Sequence, residues 1–177
     1  MLYRALLISF FFTLPSFAED SSNYGLVPDF SFKNLAQEDI TPRDLQGKYW
    51  LLNFFFTSCP KICPAINGRV ATLHYELAEK KNLSFISVSI DPERDTSQAL
   101  KKYAKKFGAD AKQWQLLRGE KAAVRKLIDD LHLLASEELD KHTTRLILVG
   151  PDGGILKFYR ALDGEDFKLL RSRLAEL

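Results

Sequence analysis

The chain of 177 residues predicts an α/β fold of three layers, with a central mixed β-sheet flanked by helices. Three observations carry this. Apolar runs of strand length alternate with segments whose apolar residues recur at helical spacing. Two of those runs, Trp50–Phe56 and Leu83–Ile90, have the apolar content of strands buried in a core. The last third closes with a strand, a glycine-rich turn, a second strand and a helix, which adds a hairpin to the sheet.

Asp29 to Phe32 alternates and predicts a short strand. Thr41-Pro42 reads as a cap followed by proline at the first position of a one-turn helix, ended by Gly47. The core strand at 49–56 hands over to a helix at 64–81, whose Ile66, Val70, Leu73 and Leu77 share one face. A second core strand follows at 83–90. Asp91-Pro92-Glu93-Arg94-Asp95 is a loop, and Thr96 caps a helix at 96–107. On that helix Leu100, Tyr103, Ala104 and Phe107 face inward, and Lys101, Lys102, Lys105 and Lys106 form a solvated outer face. Residues 114–117 form a brief strand. Residues 120–134 form a helix with Val124, Leu127, Ile128 and Leu131 inward. Strands at 143–149 and 155–159 flank the turn Gly150-Pro151-Asp152-Gly153-Gly154, and the last helix covers 163–176.

Residues 1–18 have the layout of a secretory signal peptide. Arg4 precedes the apolar run Ala5–Leu14, and Pro15-Ser16-Phe17-Ala18 offers a cleavage site after Ala18. The run is shorter than the ~20 residues a spanning helix needs, so an uncleaved membrane anchor is the weaker alternative. Residues 19–27 read as a flexible lead-in and 28–177 as the folded domain. Export places the protein in the periplasm, beside a membrane it does not span. With 25 basic and 23 acidic residues, the composition gives no reason to expect nucleic acid.

Both cysteines, Cys59 and Cys63, lie where the 49–56 strand gives way to a helix. The positive end of a helix favours thiolate, which is both the nucleophile of disulfide exchange and a soft metal ligand. A disulfide across three intervening residues closes too short a loop to be mainly a structural staple. A thioredoxin-type redox pair has two intervening residues, and a peroxidatic cysteine needs a threonine where this chain has Phe56. Positions i and i+4 in the first turn of a helix face the same way, so the two sulfurs can close on each other or open to hold a metal.

Two thiolates need a further ligand, and histidine is the expected type. His74 is eleven residues beyond Cys63 on the same helix, roughly 16 Å away and too far to share an ion. His132 flanks the apolar face of its own helix and reads as structural. His142 precedes the 143–149 strand, whose start faces the cysteine loop in a thioredoxin-like arrangement. Two sulfurs and an imidazole make a soft set that suits Cu(I) or, with one more ligand, Cu(II). Zinc, which takes four ligands in structural sites, is the second choice.

These residues resemble the Sco/SenC proteins of cytochrome oxidase assembly. The likeness rests on Thr57-Ser58-Cys59-Pro60-Lys61-Ile62-Cys63-Pro64, on Ser87 to Thr96, and on His142-Thr143 leading into Leu148-Val149-Gly150-Pro151-Asp152-Gly153. The resemblance implies a thioredoxin-like fold binding one copper ion through Cys59, Cys63 and His142. It also implies a role as copper donor or thiol reductant for the dinuclear copper centre of cytochrome c oxidase. Asp91 matches an acidic position beside the family's site and is expected to support the ligands. The chain departs from the pattern in carrying Lys61 between the cysteines, and Lys141 rather than aspartate before His142. Cations there lower thiol pKa values but repel a cationic metal.

The expected function is therefore an exported copper metallochaperone. Its partner would be the copper-containing subunit of cytochrome c oxidase or another copper or thiol protein. The alternative is a thiol–disulfide oxidoreductase with Cys59 and Cys63 as the redox pair.

Overall fold

Alternation along strand β3 (Tyr49–Phe55) divides the molecule into its layers. Leu51 and Phe55 enter the apolar core on one side of the sheet, while Trp50, Leu52 and Phe54 enter the core on the other. A strand buried on both faces reads as a continuous apolar run, which is why this segment is so hydrophobic. The computed structural model describes residues 24–131 and 144–177. The expected signal peptide, most of the lead-in, His132 and His142 lie outside the described residues.

The remaining elements are β1 (Phe32–Lys33), β2 (Asp39–Ile40), a 3-10 turn (Pro42–Leu45), α1 (Ile62–Glu76), β4 (Leu83–Ser89), α2 (Ser97–Phe107), β5 (Trp114–Leu117), α3 (Lys121–Asp130), β6 (Arg145–Val149), β7 (Ile155–Arg160) and α4 (Gly164–Glu176). The main sheet runs β5-β4-β3-β6-β7. β3, β4 and β5 are parallel neighbours, whereas β6 pairs antiparallel with both β3 and β7. The fold is thus the expected α/β architecture with a central mixed sheet flanked by helices. One core joins the sheet to α1, α2 and α4, through residues such as Ile66, Val70, Leu100 and Leu170. The other joins it to α3 and the β1–β2 hairpin, through Val124, Leu127, Phe32 and Ile40.

Several boundaries differ from the sequence expectation. α1 begins at Ile62, because Pro64 falls in the first turn, where the missing N–H costs no helical bond. It ends at Glu76 rather than 81, and the Leu77 N–H closes the last turn on the Leu73 carbonyl. The alternation at Asp29 to Phe32 places the first strand too early: β1 starts only at Phe32, and β1 and β2 are two residues each, too short for periodicity to bound. Thr96 caps α2 as expected, accepting the Ala99 N–H at 3.2 Å. Gly108 ends α2 with φ at +77°, a left-handed conformation that glycine adopts without strain.

Two loops leave the sheet side by side, because β3 and β4 are parallel and end together. The Ile90 N–H donates to the Phe55 carbonyl at 2.8 Å, just where both strands stop. The cysteine loop follows β3 and the 90–96 loop follows β4.

Gly119, between β5 and α3, backs directly onto Phe32. A Cβ there would lie 2.2 Å from the Phe32 ring. Gly119→Ala should therefore push the β1–β2 hairpin off the sheet and cost about 1–3 kcal/mol, read as a lower urea midpoint. An unchanged midpoint would show that the hairpin is not packed as described.

Candidate metal centre

Cys59 lies in the loop before α1, and Cys63 is the second residue of that helix. Lys61, at the cap position, offers no side-chain cap bond. A sulfur serves in its place: the Cys63 N–H donates to Cys59 Sγ at 3.2 Å. Both cysteines are buried, each with 4% of its surface exposed, and no disulfide joins them.

The two sulfurs differ in proton affinity. Burial pushes the Cys59 thiol up, but the Cys63 N–H, the Cys63 thiol and the N–H groups of Lys61 and Ile62 outweigh it and hold it below its ordinary value. Cys63 is pushed up to about 12. Burial is the largest cause, followed by its hydrogen bond to Cys59; the charges of Cys59 and Asp95 add to it, and the Phe56 backbone opposes it. Cys59 is thus the more acidic thiol of the pair and Cys63 the proton-holding donor.

Asp95 fastens the loop that carries Cys59. Its carboxylate has no exposed surface. The Thr57 N–H donates to its two oxygens at 3.0 and 3.2 Å, and the Thr57 hydroxyl donates at 2.6 Å. The Ser89 hydroxyl, at the end of β4, donates at 2.5 Å. Asp91 is placed differently. Its carbonyl accepts the Arg94 and Asp95 N–H groups, and its carboxylate pairs with Arg94 at 3.5 Å.

Beneath Cys63 runs a buried chain of polar side chains. Trp114 Nε1–H donates to Ser87 Oγ (2.9 Å), and Ser87 Oγ–H donates to Asn53 Oδ1 (2.6 Å). Asn53 Nδ2 donates to Asn67 Oδ1 (3.1 Å), and Asn67 Nδ2 donates to Tyr103 Oη (3.0 Å). Asn67 is one turn beyond Cys63 on α1. Burial, opposed by the Asn67 bond and reinforced by the charges of Cys63, Cys59 and Asp95, raises the Tyr103 hydroxyl well above its usual value. That hydroxyl therefore stays protonated.

The structure thus brings Cys59 and Cys63 together, with Asp95 close enough for its charge to act on Cys63. His74 lies near the far end of α1, 3.6 Å from the Asp110 carboxylate and against the Phe85 and Trp114 rings. Among the described residues, no cluster of three or more His, Cys, Asp or Glu side chains forms that could hold a metal ion. His142 is outside them. The sequence reading missed Asp95, Asn53 and Asn67. The signals were an acid just before the Thr96 cap and a lone asparagine inside an apolar strand.

The SCO1/SenC family profile matches residues 18–173 of this chain. The SCO1 protein homolog of Bacillus subtilis is 31% identical over 156 residues, covering 84% of this chain and 80% of the relative. The structure is similar to that of BsSco, a member of the Sco family of cytochrome c oxidase assembly proteins. The two share 29% identity and a TM-score of 0.72 over 85% of this chain and 92% of the other. It is also similar in fold to yeast Sco1 with copper bound, at 23% identity and a TM-score of 0.69, covering 85% of this chain and 90% of the other. These neighbours assign the architecture to the thioredoxin-like Sco fold.

The asymmetry of the thiols has a direct chemical readout. Iodoacetamide should alkylate Cys59 of the reduced protein before Cys63, as peptide mass spectrometry across pH would show. Cys63→Ala removes one thiol donor and should move the Cys59 reactivity midpoint to higher pH. Equal reactivity in the wild type would contradict the assignment. Asp95→Asn removes a charge that raises Cys63 and leaves one donor of Thr57 or Ser89 without an acceptor. The Cys63 midpoint should fall, and stability should drop by about 1–3 kcal/mol.

Proposed function

We propose that this chain, which belongs to the SCO1/SenC family, is an exported copper metallochaperone that binds one copper ion through Cys59, Cys63 and His142. The observation that carries this reading is the pair of sulfurs at the N-terminus of α1, one of them held toward thiolate by the peptide groups around it. Thiolate is a soft ligand that favours Cu(I) over the hard cations. Burial of both sulfurs keeps water from competing for the metal.

The donor set fits copper in its chemistry, and chain topology supports His142 as the third ligand. β6 pairs antiparallel with β3, Trp50 opposite Val149 and Leu52 opposite Ile147. The first residue of β6, Arg145, therefore lies toward the end of β3 from which the cysteine loop departs. Position 142 precedes it by three residues in the chain. The negative charge of Asp95 acts on Cys63 and would favour a cation bound at the thiols. Asp91 would support the ligands indirectly, through the turn that presents Asp95.

Cargo passes to a partner by ligand exchange, each partner sulfur or imidazole replacing one of the chain's own donors. The family's tie to cytochrome c oxidase assembly makes the copper-containing subunit of that enzyme the expected recipient. The apolar N-terminal run supports export to the periplasm. Among the described residues no helix is long and apolar enough to cross a membrane.

The unequal thiols favour a second reading, reduction of a partner disulfide. Cys59 thiolate would attack one partner sulfur and release the other as a thiol. Cys63, losing its proton, would then attack Cys59 Sγ, leaving the pair oxidised and the partner reduced.

Copper titration of the reduced protein separates the readings. His142→Ala should weaken Cu(I) affinity on the order of a hundredfold while leaving the thiol exchange rate unchanged. Unaltered affinity would remove His142 from the ligand set. The reductant reading expects a pair potential near or below about −250 mV, and a value near about −120 mV would contradict it.

A further inference from the structure

The pole of the molecule farthest from the thiols is basic. β3 starts there, α1 ends there and β4 starts there. Lys48, Lys80, Lys81 and Lys112 line one open pocket of about 320 Å³, together with His74 and Asp110. Asp110 is the acid in that lining, and its charge is already engaged. Its carboxylate accepts the N–H groups of Lys112, Gln113 and Trp114 at 2.9–3.0 Å and faces His74 at 3.6 Å. Among the described residues, none of the four ammonium groups is in an ion pair.

Helix α2 extends this basic surface. It starts beside the thiols, where Thr96 caps it, and runs back toward the same pole. Its last turn carries Lys105 and Lys106, both exposed and likewise unpaired among the described residues. Of the acids next to these lysines in the chain, Glu76 pairs with Arg171 at 2.7 Å and Glu79 is exposed, so the lysines outnumber the free acids there. Tyr75, in the last turn of α1, is 85% exposed, more than any other large apolar side chain described. An exposed tyrosine at the same end of the molecule as several lysines is the composition of a surface that rests at a bilayer interface.

We propose that this pole docks on anionic phospholipid headgroups, the lysines meeting the phosphates and Tyr75 entering the interface. A flat array of phosphates matches flexible ammonium groups spread over three elements, which need no fixed geometry to satisfy them. α1 has 15 residues and is about 22 Å long. Docking by its C-terminal end would hold the thiols about that far above the headgroups, facing the aqueous side. The proposal does not depend on copper or on His142.

The full chain would be sedimented with vesicles of phosphatidylglycerol and phosphatidylcholine in equal parts, and with phosphatidylcholine alone. Binding to the anionic vesicles only, reversed at about 0.5 M salt, is expected. The triple change Lys80→Glu, Lys81→Glu, Lys112→Glu should lower the partition coefficient on the order of a hundredfold. An equal charge change on the other faces, Lys121→Glu, Lys126→Glu, Lys168→Glu, should lower it far less. Tyr75→Ser should weaken binding in the same direction as the pole variant. Thiol reactivity toward a water-soluble aromatic disulfide should be the same on and off the vesicles. No preference for anionic vesicles would overturn the proposal, as would equal losses from both triple variants. Protection of the thiols on binding would overturn the orientation.

Discussion

Asp95 carries a carboxylate with no surface open to water. Such a group is tolerated inside a protein only if donors surround it. The donors are the Thr57 amide and hydroxyl and the Ser89 hydroxyl, and their positions tie the cysteine loop to the end of β4. Parallel pairing of β3 with β4 makes this possible, because it delivers both loops to one end of the sheet. An antiparallel pair would have placed the two loops at opposite ends. The helix start at Ile62, the sulfur that caps it and the unequal thiols all follow from a loop held in this way.

The second constraint is the polar chain from Trp114 to Tyr103. It crosses β5, β4, β3, α1 and α2, linking five elements through side chains that are almost wholly buried. Purely apolar packing would tolerate small slips of α1 against the sheet. A sequence of directional bonds does not, since a displaced helix leaves Asn53 and Asn67 unsatisfied. Arg69 reinforces the placement from the other side, donating to the Ala161 and Asp163 carbonyls while its guanidinium stacks over Phe167. The helix bearing Cys63 is thereby fixed to both edges of its layer.

The layers were legible in the sequence because burial on two faces leaves a strong mark. Trp50–Phe56 and Leu83–Ile90 could hardly be anything but core strands, and α2 announced itself through one apolar and one lysine face. The cysteine pair was equally plain. Asp95 was not, because nothing local distinguishes a buried acid from a loop acid: both precede a helix cap in the same way, and only the tertiary fold decides which one meets Thr57. Asp91 drew attention instead, because the Sco/SenC resemblance puts an acid at that position. Asn53 was hidden by its neighbours, since one amide within an apolar run barely changes its hydropathy. β1 was placed three residues early and β2 was missed, because two-residue strands leave no period of their own and their pairing is set by Phe32 and Ile40 entering the core beside α3.

The two cysteines have only 4% of their surface open. A ligand carried there would meet the solvent over a small area, so its exchange with small scavengers such as free thiols, amines and chloride would be slowed. Small reagents would reach the sulfurs slowly, through brief openings of the loop, whereas a folded acceptor could hold that loop open against Asp95. For a bound ligand, burial would thus favour handover to a recipient of the right shape over loss to the surroundings.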